Sequence, residues 1–260
     1  MPLSHDQRPL VWVTGAGGLI GHALVHAASQ YAPQWLVKGW LHPQLELTDR
    51  AALRQAFHAD RPEAVIHCAA LTRSVACENN PSLAHLMNVD VTRWVAESAA
   101  DIPLIFFSTN LVFDGVAGHY DEQALVNPLN VYAGTKVEAE SLVLANPRHT
   151  VVRIGLTGGI SPRGDRGFNE EARRAWETGQ TLNLFVDEYR TPIAADVTAR
   201  AVWDLLASQH TGLYHLCGAE RLSRLEIGQA LATRWPHLTP RIHACSRTEY
   251  RGPSRPQDTS

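Results

Sequence analysis

Residues 14–21 read Thr-Gly-Ala-Gly-Gly-Leu-Ile-Gly, and they directly follow an apolar run, Leu10–Thr14, that is typical of a buried strand. Gly15 permits a tight turn, Gly18 lets backbone N–H groups approach a pyrophosphate, and Gly21 lets a helix pack closely against the strand. The helix that begins here favours negative charge at its N-terminus. The stretch therefore predicts a dinucleotide-binding loop, with a simple tight turn as the alternative.

The same alternation of apolar runs and helical stretches continues through the first 154 residues. Further strands are expected over residues 35–40, 64–67, 104–108 and 150–154. Helices are expected over residues 18–30, 49–58, 82–100 and 132–145. Such alternation is typical of a parallel sheet with right-handed crossovers and helices on both faces. We therefore predict an α/β protein with a Rossmann-type doubly wound parallel sheet, which binds ligands at the carboxyl ends of its strands.

The pattern loosens after Ile154, where glycine and proline become frequent. Three more helices are expected there, over residues 168–178, 194–207 and 223–234. We predict a dinucleotide-binding Rossmann core over residues 1–154. Residues 155–260 are predicted to complete that core and to form a small C-terminal substrate-side lobe. The final stretch, RGPSRPQDTS, is expected to be a surface segment.

Composition excludes several classes of protein. The 260 residues are 45% hydrophobic and 19% charged, and no apolar run reaches the 18 or so residues that a membrane span needs. The first ten residues lack the features of a secretory signal, so we expect a cytoplasmic protein with four reduced cysteines. A net charge of −3 offers no basic face for nucleic acid. The histidines and cysteines show no metal-binding spacing, so no metal site is expected.

A second motif, Tyr132-Ala-Gly-Thr-Lys136, lies at the start of a predicted helix. The i to i+4 spacing places Tyr132 and Lys136 on one helix face. Lowering a tyrosine pKa from about 10 to near 7 requires roughly 4 kcal/mol, and one ammonium about 4 Å away supplies that much at an effective dielectric of about 20. The pair can therefore serve in acid–base catalysis, and the alternative is an exposed helical pair without a catalytic role.

A third motif, Phe106-Phe-Ser-Thr109-Asn-Leu-Val-Phe-Asp-Gly115, places two hydroxyls at the end of a strand. In a doubly wound sheet that end is the ligand edge. A hydroxyl there can hydrogen-bond a substrate carbonyl and stabilise the oxyanion that hydride transfer creates. Together with the glycine loop and the Tyr132/Lys136 pair, this motif favours a catalytic function over a plain strand-end cap.

The sequence resembles the extended short-chain dehydrogenase/reductase family over nearly its whole length. Within that family it is similar to the dTDP-4-dehydrorhamnose reductase group and to the regulatory β subunit of methionine adenosyltransferase. Besides the three motifs above, the resemblance rests on LELTD (45–49), AVIHCAALT (64–72), Asn80-Pro81 with Asn88, RTPIAADV (190–197), GLYHLCG (212–218) and RPQDTS (255–260).

The resemblance implies a role for each matching residue. Thr109, with Ser108 as its adjacent alternative, orients the carbonyl, Tyr132 exchanges the proton, and Lys136 tunes Tyr132 and binds the nicotinamide ribose. Arg190 matches the substrate-side arginine of the family, although a salt-bridged structural role is an equal alternative. The implied dinucleotide-binding residues also include Tyr132 and Lys136; the others are Gly15, Gly18, Leu19, Ile20, Gly21, Glu46, Leu47, Ala69, Ala70 and Thr72.

Cofactor choice depends on the residues at the end of the second strand, Lys38-Gly-Trp-Leu-His42. No acidic residue stands there to bind the ribose 2′-hydroxyl of NAD, and the arginines of NADP-preferring relatives are absent too. We expect NADP(H) to be preferred and NAD(H) to be possible. Lys38 can equally be an ordinary strand residue, and His42 an ordinary loop residue.

Departures from the family motifs narrow the expected reaction. Asn110 and Leu111 stand where dehydratases carry an acidic pair and where rhamnose-type reductases carry Asp-Tyr. We therefore expect reduction of a keto group, on a nucleotide-linked 4-keto-6-deoxy sugar. The alternatives are a non-catalytic NADP-binding regulatory subunit and an NAD-dependent sugar-nucleotide epimerase. By analogy with the relatives, a homodimer is possible.

Overall fold

The structure is a computed structural model, and it describes residues 8–260 as a six-stranded parallel sheet with helices on both faces and a smaller mixed lobe. The strands in these residues are Leu10–Thr14 (β1), Leu36–Trp40 (β2), Ala64–His67 (β3), Leu104–Thr109 (β4), Thr150–Ile154 (β5), Thr157–Gly158 (β6), Thr181–Phe185 (β7), Tyr189–Arg190 (β8), Ile193–Ala194 (β9), Gly212–Leu216 (β10), Leu222–Ser223 (β11) and Arg241–Cys245 (β12). The α-helices in these residues are Leu19–Tyr31 (α1), Arg50–Asp60 (α2), Ser74–Asn79 (α3), Pro81–His85 (α4), Val91–Ser98 (α5), Val131–Leu144 (α6), Phe168–Glu177 (α7), Ala195–Ala207 (α8) and Arg224–Arg234 (α9).

The strand order in the sheet is β2-β1-β3-β4-β5-β10, and each neighbouring pair is parallel. The chain moves outward in one direction from β1 and in the other from β3, so a topological switch point lies between these two strands. The prediction of a doubly wound parallel sheet is confirmed. Ligands of such sheets bind outside the carboxyl ends of the strands at this point.

Alternating residues of the strands build two cores, one on each face of the sheet. Val11 and Val13 of β1 face α1 and α8, where the Trp203 indole donates a hydrogen bond to the Leu24 carbonyl over 3.1 Å. Trp12, between those two valines, faces α2, α5 and α6. Because side chains alternate across a strand, continuous apolar runs are required where both faces are covered.

Most predicted boundaries lie within two residues of the observed ones, but the single helix predicted over 82–100 is wrong. The segment forms α4, a π-helical turn at Leu86–Asp90, and then α5. The turn places Asn88 in the interior, where its side-chain oxygen accepts a hydrogen bond from the Leu71 N–H over 2.8 Å. A buried amide with partners outside its own helix accounts for the interruption.

The residues after 154 contribute to both parts of the molecule. β10 extends the sheet beside β5, and α8 packs on α1. The remaining segments form the lobe, in which β7 pairs with β12 and β8 pairs with β11. No helix among residues 8–260 is long and apolar enough to cross a bilayer, and the four cysteines are unpaired.

The final segment departs from the predicted surface location, because its second half is buried. Thr259 is 2% exposed, and the Asp258 carboxylate lies 2.7 Å from the Arg221 guanidinium. The Tyr120 N–H donates a hydrogen bond to the Ser260 carbonyl over 2.8 Å. These partners are distant in sequence, so the polar composition of the segment could not reveal its burial.

Candidate active site

The glycine loop adopts the tight conformation that its sequence predicts. Gly15 has a φ of +68°, and a Cβ there would lie 2.7 Å from the Ala69 nitrogen. A Cβ on Gly21 would collide with the Gly15 carbonyl oxygen. α1 begins after Gly18, and no side chain caps its first N–H groups. A loop packed against the residues that follow β3, with an uncapped helix start, fits the pyrophosphate of a dinucleotide.

The segment after β3 lies beside this loop, as the sequence predicts for dinucleotide-binding residues. The Ala69 N–H donates a hydrogen bond to the Thr14 hydroxyl over 3.3 Å. Ala69 and Ala70 are half-buried, and Thr72 is exposed. The structure therefore brings together two segments that are 55 residues apart in the chain.

A buried polar chain, which the sequence did not predict, joins the glycine loop to α6. The Thr14 hydroxyl lies 2.7 Å from Nδ1 of His67, whose Nε2 lies 3.2 Å from the Thr92 hydroxyl. Thr92 donates to the Asn88 carbonyl over 2.7 Å, and the Asn88 amide donates to the Thr135 hydroxyl over 3.0 Å. Burial lowers the pKa of His67 to about 3, so the imidazole is neutral at physiological pH. The chain fixes the position of α6 without introducing charge.

Tyr132 and Thr109 meet at the carboxyl edge of the sheet. Tyr132 lies in the first turn of α6, which Asn130 caps by accepting a hydrogen bond from the Ala133 N–H over 2.9 Å. The Thr109 side chain lies beside the Tyr132 phenol. Tyr132 is 8% exposed, and this burial raises its pKa above the ordinary tyrosine value.

Lys136 is buried one turn further along α6. Its ammonium lies 3.9 Å from the centre of the Phe106 ring. Burial lowers the pKa of Lys136 to about 7, and the nearby Glu140 carboxylate partly opposes that change. The sequence predicted that Lys136 would lower the pKa of Tyr132, whereas the pKa of Tyr132 in this structure is raised. The reason is that burial penalises the charged forms of both groups.

Ser108, the alternative to Thr109, points towards α6, the helix that carries Tyr132. Its hydroxyl donates to Oε1 of Glu140 over 2.5 Å, and Glu140 forms a buried ion pair with Arg153 at 2.7 Å. The Ser108 hydroxyl is therefore engaged by Glu140, and the assignment of Thr109 to the substrate carbonyl stays a prediction.

The residues predicted for the adenine side lie in the loop after β2. Glu46 is exposed, and its carboxylate accepts from the Thr48 hydroxyl over 2.6 Å and lies 3.0 Å from His42. The Leu47 side chain is buried in the core beside α2, so only its backbone is available to a ligand. Lys38 is a residue of β2, and its ammonium lies 2.6 Å from Asp60.

Arg190 makes the contacts expected of the structural alternative. Its side chain is 5% exposed and lies 3.2 Å from the fully buried Glu188. The guanidinium also donates to the carbonyls of Tyr189, over 2.6 Å, and of Pro256, over 3.1 Å. Its substrate role stays a prediction, and in this structure Arg190 holds the C-terminal segment in place.

An open cleft of about 830 Å³ lies beside the N-terminus of α6, between α3 and residues 250–254. Glu78 of α3 accepts a hydrogen bond from the Val131 N–H over 2.9 Å, and Asn130 donates to the Ser254 carbonyl over 3.0 Å. The cleft therefore adjoins the turn that carries Tyr132. Among residues 8–260, no three His, Cys, Asp or Glu side chains are grouped so as to hold a metal ion.

Comparison with known proteins finds relatives that match most of this chain. The methionine adenosyltransferase 2 subunit beta of Xenopus laevis is 29% identical over 249 residues, covering 88% of this chain and 74% of the relative. A probable low-salt glycan biosynthesis reductase of Haloferax volcanii is 30% identical over 237 residues, covering 85% of this chain and 78% of the relative.

Among solved structures, a dTDP-4-dehydrorhamnose reductase of Clostridium acetobutylicum superposes with a TM-score of 0.87 and 25% identity. That superposition covers 96% of this chain and 89% of the other. The family model described as the RmlD substrate binding domain matches residues 10–260. This match spans both the sheet and the lobe, and the chain belongs to the RmlD substrate-binding-domain family.

Proposed function

We propose that this protein is an NAD(P)H-dependent reductase that acts on the keto group of a nucleotide-linked 4-keto-6-deoxy sugar. NADP(H) is the preferred cofactor, and NAD(H) is a possible second one. The observation that carries the proposal is the proximity of Thr109 and Tyr132 at the ligand edge of a sheet whose glycine loop fits a dinucleotide. The names of the Haloferax and Clostridium relatives, both reductases, support the same class of reaction.

Each residue of the group has a separate chemical task. Thr109 hydrogen-bonds the carbonyl oxygen and orients it. Tyr132 has a raised pKa, so its phenol is protonated at neutral pH and can donate a proton to that oxygen. NADPH held in this site would supply a hydride to the carbonyl carbon, and with the proton from Tyr132 the product would be an alcohol. Lys136 binds the nicotinamide ribose, and Gly15, Gly18 and Gly21 let the backbone approach the pyrophosphate.

The other assigned residues lie where a dinucleotide would extend along the sheet edge. Leu19 and Ile20 form the first turn of α1, Ala69, Ala70 and Thr72 follow β3, and Glu46 with Leu47 follows β2. We assign Leu19 and Ile20 to the pyrophosphate. The three residues after β3 are assigned to the central stretch of the dinucleotide, and the two residues after β2 to the adenosine. A cytoplasmic location and a homodimer belong to the proposal through the family resemblance.

The experiment that tests the proposal has two readouts. Cofactor binding is measured by fluorescence titration with NADPH and NADH, and turnover by loss of reduced-nicotinamide absorbance with a panel of keto-sugar nucleotides. Tyr132→Phe should bind NADPH like the wild type and lose nearly all turnover. An absence of turnover by the wild type across the panel would refute the reductase proposal.

One observation favours a second function. The Xenopus relative is named as a subunit of methionine adenosyltransferase and matches 88% of this chain. A regulatory subunit would bind NADPH without oxidising it and would form a stable complex with a methionine adenosyltransferase. Size-exclusion chromatography of the mixed proteins, with and without NADPH, tests this alternative. Independent elution under both conditions would count against it.

A further inference from the structure

Glu140 is a buried carboxylate one helical turn after Lys136 on α6. Its side chain is 5% exposed, and Lys136 is 3% exposed. We infer that Glu140 is a positioning residue for the proposed reduction, because its negative charge keeps Lys136 in the ammonium form that binds the cofactor and acts on Tyr132. This inference rests on the proposed function, and Glu140 acts through Lys136 rather than on the substrate itself.

The spacing of Lys136 and Glu140 makes them neighbours on the face of α6 that covers β4. Residues four apart in a helix lie one above the other on its surface. The Lys136 ammonium lies 3.9 Å from the centre of the Phe106 ring, and Glu140 accepts a hydrogen bond from the Ser108 hydroxyl over 2.5 Å. Phe106 and Ser108 are both residues of β4. Because the two charges are enclosed between helix and strand, salt screens their attraction much less than it would at the surface.

The Glu140 carboxylate is held in place by Arg153 of β5. The Arg153 Nε atom lies 3.0 and 3.2 Å from the two carboxylate oxygens, and its Nη2 atom donates to one of them over 2.7 Å. The Nη1 atom of Arg153 lies 3.4 Å from Nε2 of His215, whose Nδ1 lies 3.2 Å from the Tyr120 carbonyl oxygen. These contacts fix the negative charge at one position, one turn from Lys136.

The other titratable groups beside Lys136 within residues 8–260 are neutral at physiological pH. Burial lowers the pKa of His67 to about 3, so its imidazole carries no proton charge there. Burial raises the pKa of the Cys68 thiol and of the Tyr132 phenol above their ordinary values. Burial also lowers the pKa of Lys136 to about 7, and the Glu140 carboxylate acts against that decrease. The ammonium form of Lys136 at neutral pH therefore depends on this one carboxylate.

The charge of Lys136 can be followed through stability, without turnover. The full chain is studied as wild type, Glu140→Gln and Glu138→Gln, each with and without Lys136→Met, by urea denaturation over a range of pH values. The advantage that Lys136→Met confers should begin to shrink at the pKa of Lys136. This onset should lie about one pH unit lower in Glu140→Gln than in the wild type, because an attractive charge is lost.

Glu138→Gln is the matched control, because it makes the same change of charge on the same helix. The Glu138 side chain is 49% exposed, so solvent and salt screen its charge. The onset in this variant should equal that of the wild type.

The pH profile of kcat for keto-sugar reduction is the second readout. Activity should fall on the alkaline side as Lys136 loses its proton, and Glu140→Gln should move this decline to lower pH by about one unit. A purely structural role of the Glu140–Arg153 pair would lower kcat alike at every pH and leave the decline in place.

The double variant Glu140→Gln/Arg153→Met keeps the test available if Glu140→Gln does not fold. It removes both members of the ion pair and leaves neither charge buried without its partner. Its onset and its alkaline decline should shift in the same direction as those of Glu140→Gln. The shifts should be smaller, because the opposing positive charge of Arg153 is removed as well.

An onset at the wild-type pH in both Glu140→Gln and the double variant would overturn the inference, whether or not the protein reduces a keto sugar. Failure of the proposed function gives a different result. In that case no keto-sugar nucleotide is reduced by any of the proteins, but the onset still moves in Glu140→Gln and supports the control of the Lys136 charge by Glu140. If reduction occurs and neither the onset nor the alkaline decline moves, the reductase proposal stands and the role of Glu140 does not.

Discussion

Asn110 donates two hydrogen bonds to Thr259, a residue 149 positions later in the chain. The side-chain amide reaches the Thr259 carbonyl oxygen over 3.1 Å and its hydroxyl over 2.8 Å. Both residues are buried, and Asn110 directly follows Thr109 of the proposed active site. The C-terminal segment is thus hydrogen-bonded to the residue that follows β4, next to Thr109.

Replacing Asn110 with alanine should therefore loosen both the C-terminal segment and the site. The two acceptors of Thr259 lose their donor, which should lower the free energy of unfolding by about 1 to 3 kcal/mol. Urea denaturation measures this change. Asn183→Ala is the control, because Asn183 is an exposed residue of β7. The urea denaturation midpoint of this variant should be close to that of the wild type. Equal midpoints for the two variants would show that the Asn110 contact is not stabilising.

The two neighbouring hydroxyls of β4 should respond differently to substitution. Thr109→Val removes the group that faces Tyr132, and kcat for keto-sugar reduction should fall by about a hundredfold to a thousandfold. Ser108→Ala removes a hydrogen bond to the buried Glu140, so it should lower stability by about 1 to 2 kcal/mol and leave kcat within about tenfold. Steady-state kinetics and thermal melts, measured on both variants, test this division. A larger loss of kcat in Ser108→Ala than in Thr109→Val would contradict this division and would assign the catalytic hydroxyl to Ser108.

The buried Lys136 should make stability depend on alkaline pH. Its pKa is about 7 in the folded protein and 10.5 as its ordinary value, so between these two pH values the unfolded chain binds more protons. Stability should therefore rise with pH over that interval, and the penalty for the buried charge should be fully present below pH 7. Lys136→Met removes the penalty and should be more stable at pH 7, by up to about 5 kcal/mol.

Denaturation of both proteins at several pH values checks this expectation. The advantage of Lys136→Met should shrink as pH rises and should be nearly absent above pH 10.5. Taking the difference between the two proteins cancels the titration of groups that they share. An advantage that stays constant across this range would show that the lysine is not titrating in the folded state.

Two glycines should differ in their tolerance of alanine. A Cβ on Gly21 would collide with the Gly15 carbonyl, so Gly21→Ala should displace the loop and weaken NADPH binding by at least about tenfold. A Cβ on Gly134, in α6, would meet nothing within 4 Å. Gly134→Ala should therefore stabilise the helix, by about 0.5 to 1 kcal/mol. Fluorescence titration and thermal melts measure the two effects, and a wild-type NADPH affinity in Gly21→Ala would contradict the first.

The sequence by itself determined the sheet, most of its helices and the glycine loop. These depend on local features: apolar runs of strand length, helical periodicity, and glycines at the turn between β1 and α1. It also predicted that Thr109 and Tyr132 lie at the same edge of the sheet, because strand ends and helix starts meet at one edge of a parallel sheet. A residue's position within its own element was enough for these predictions.

The tertiary structure alone decided which side chains have partners and which do not. It joined Ser108 to Glu140, enclosed Arg190 among carbonyls of the C-terminal segment, and buried the half of that segment that bonds to Asn110. Each of these outcomes depends on contacts between groups 32 to 149 residues apart. Hydrogen bonds and ion pairs act over about 3 Å. Composition and spacing therefore cannot show which groups that are distant in the sequence come within this distance, and only the folded chain shows it.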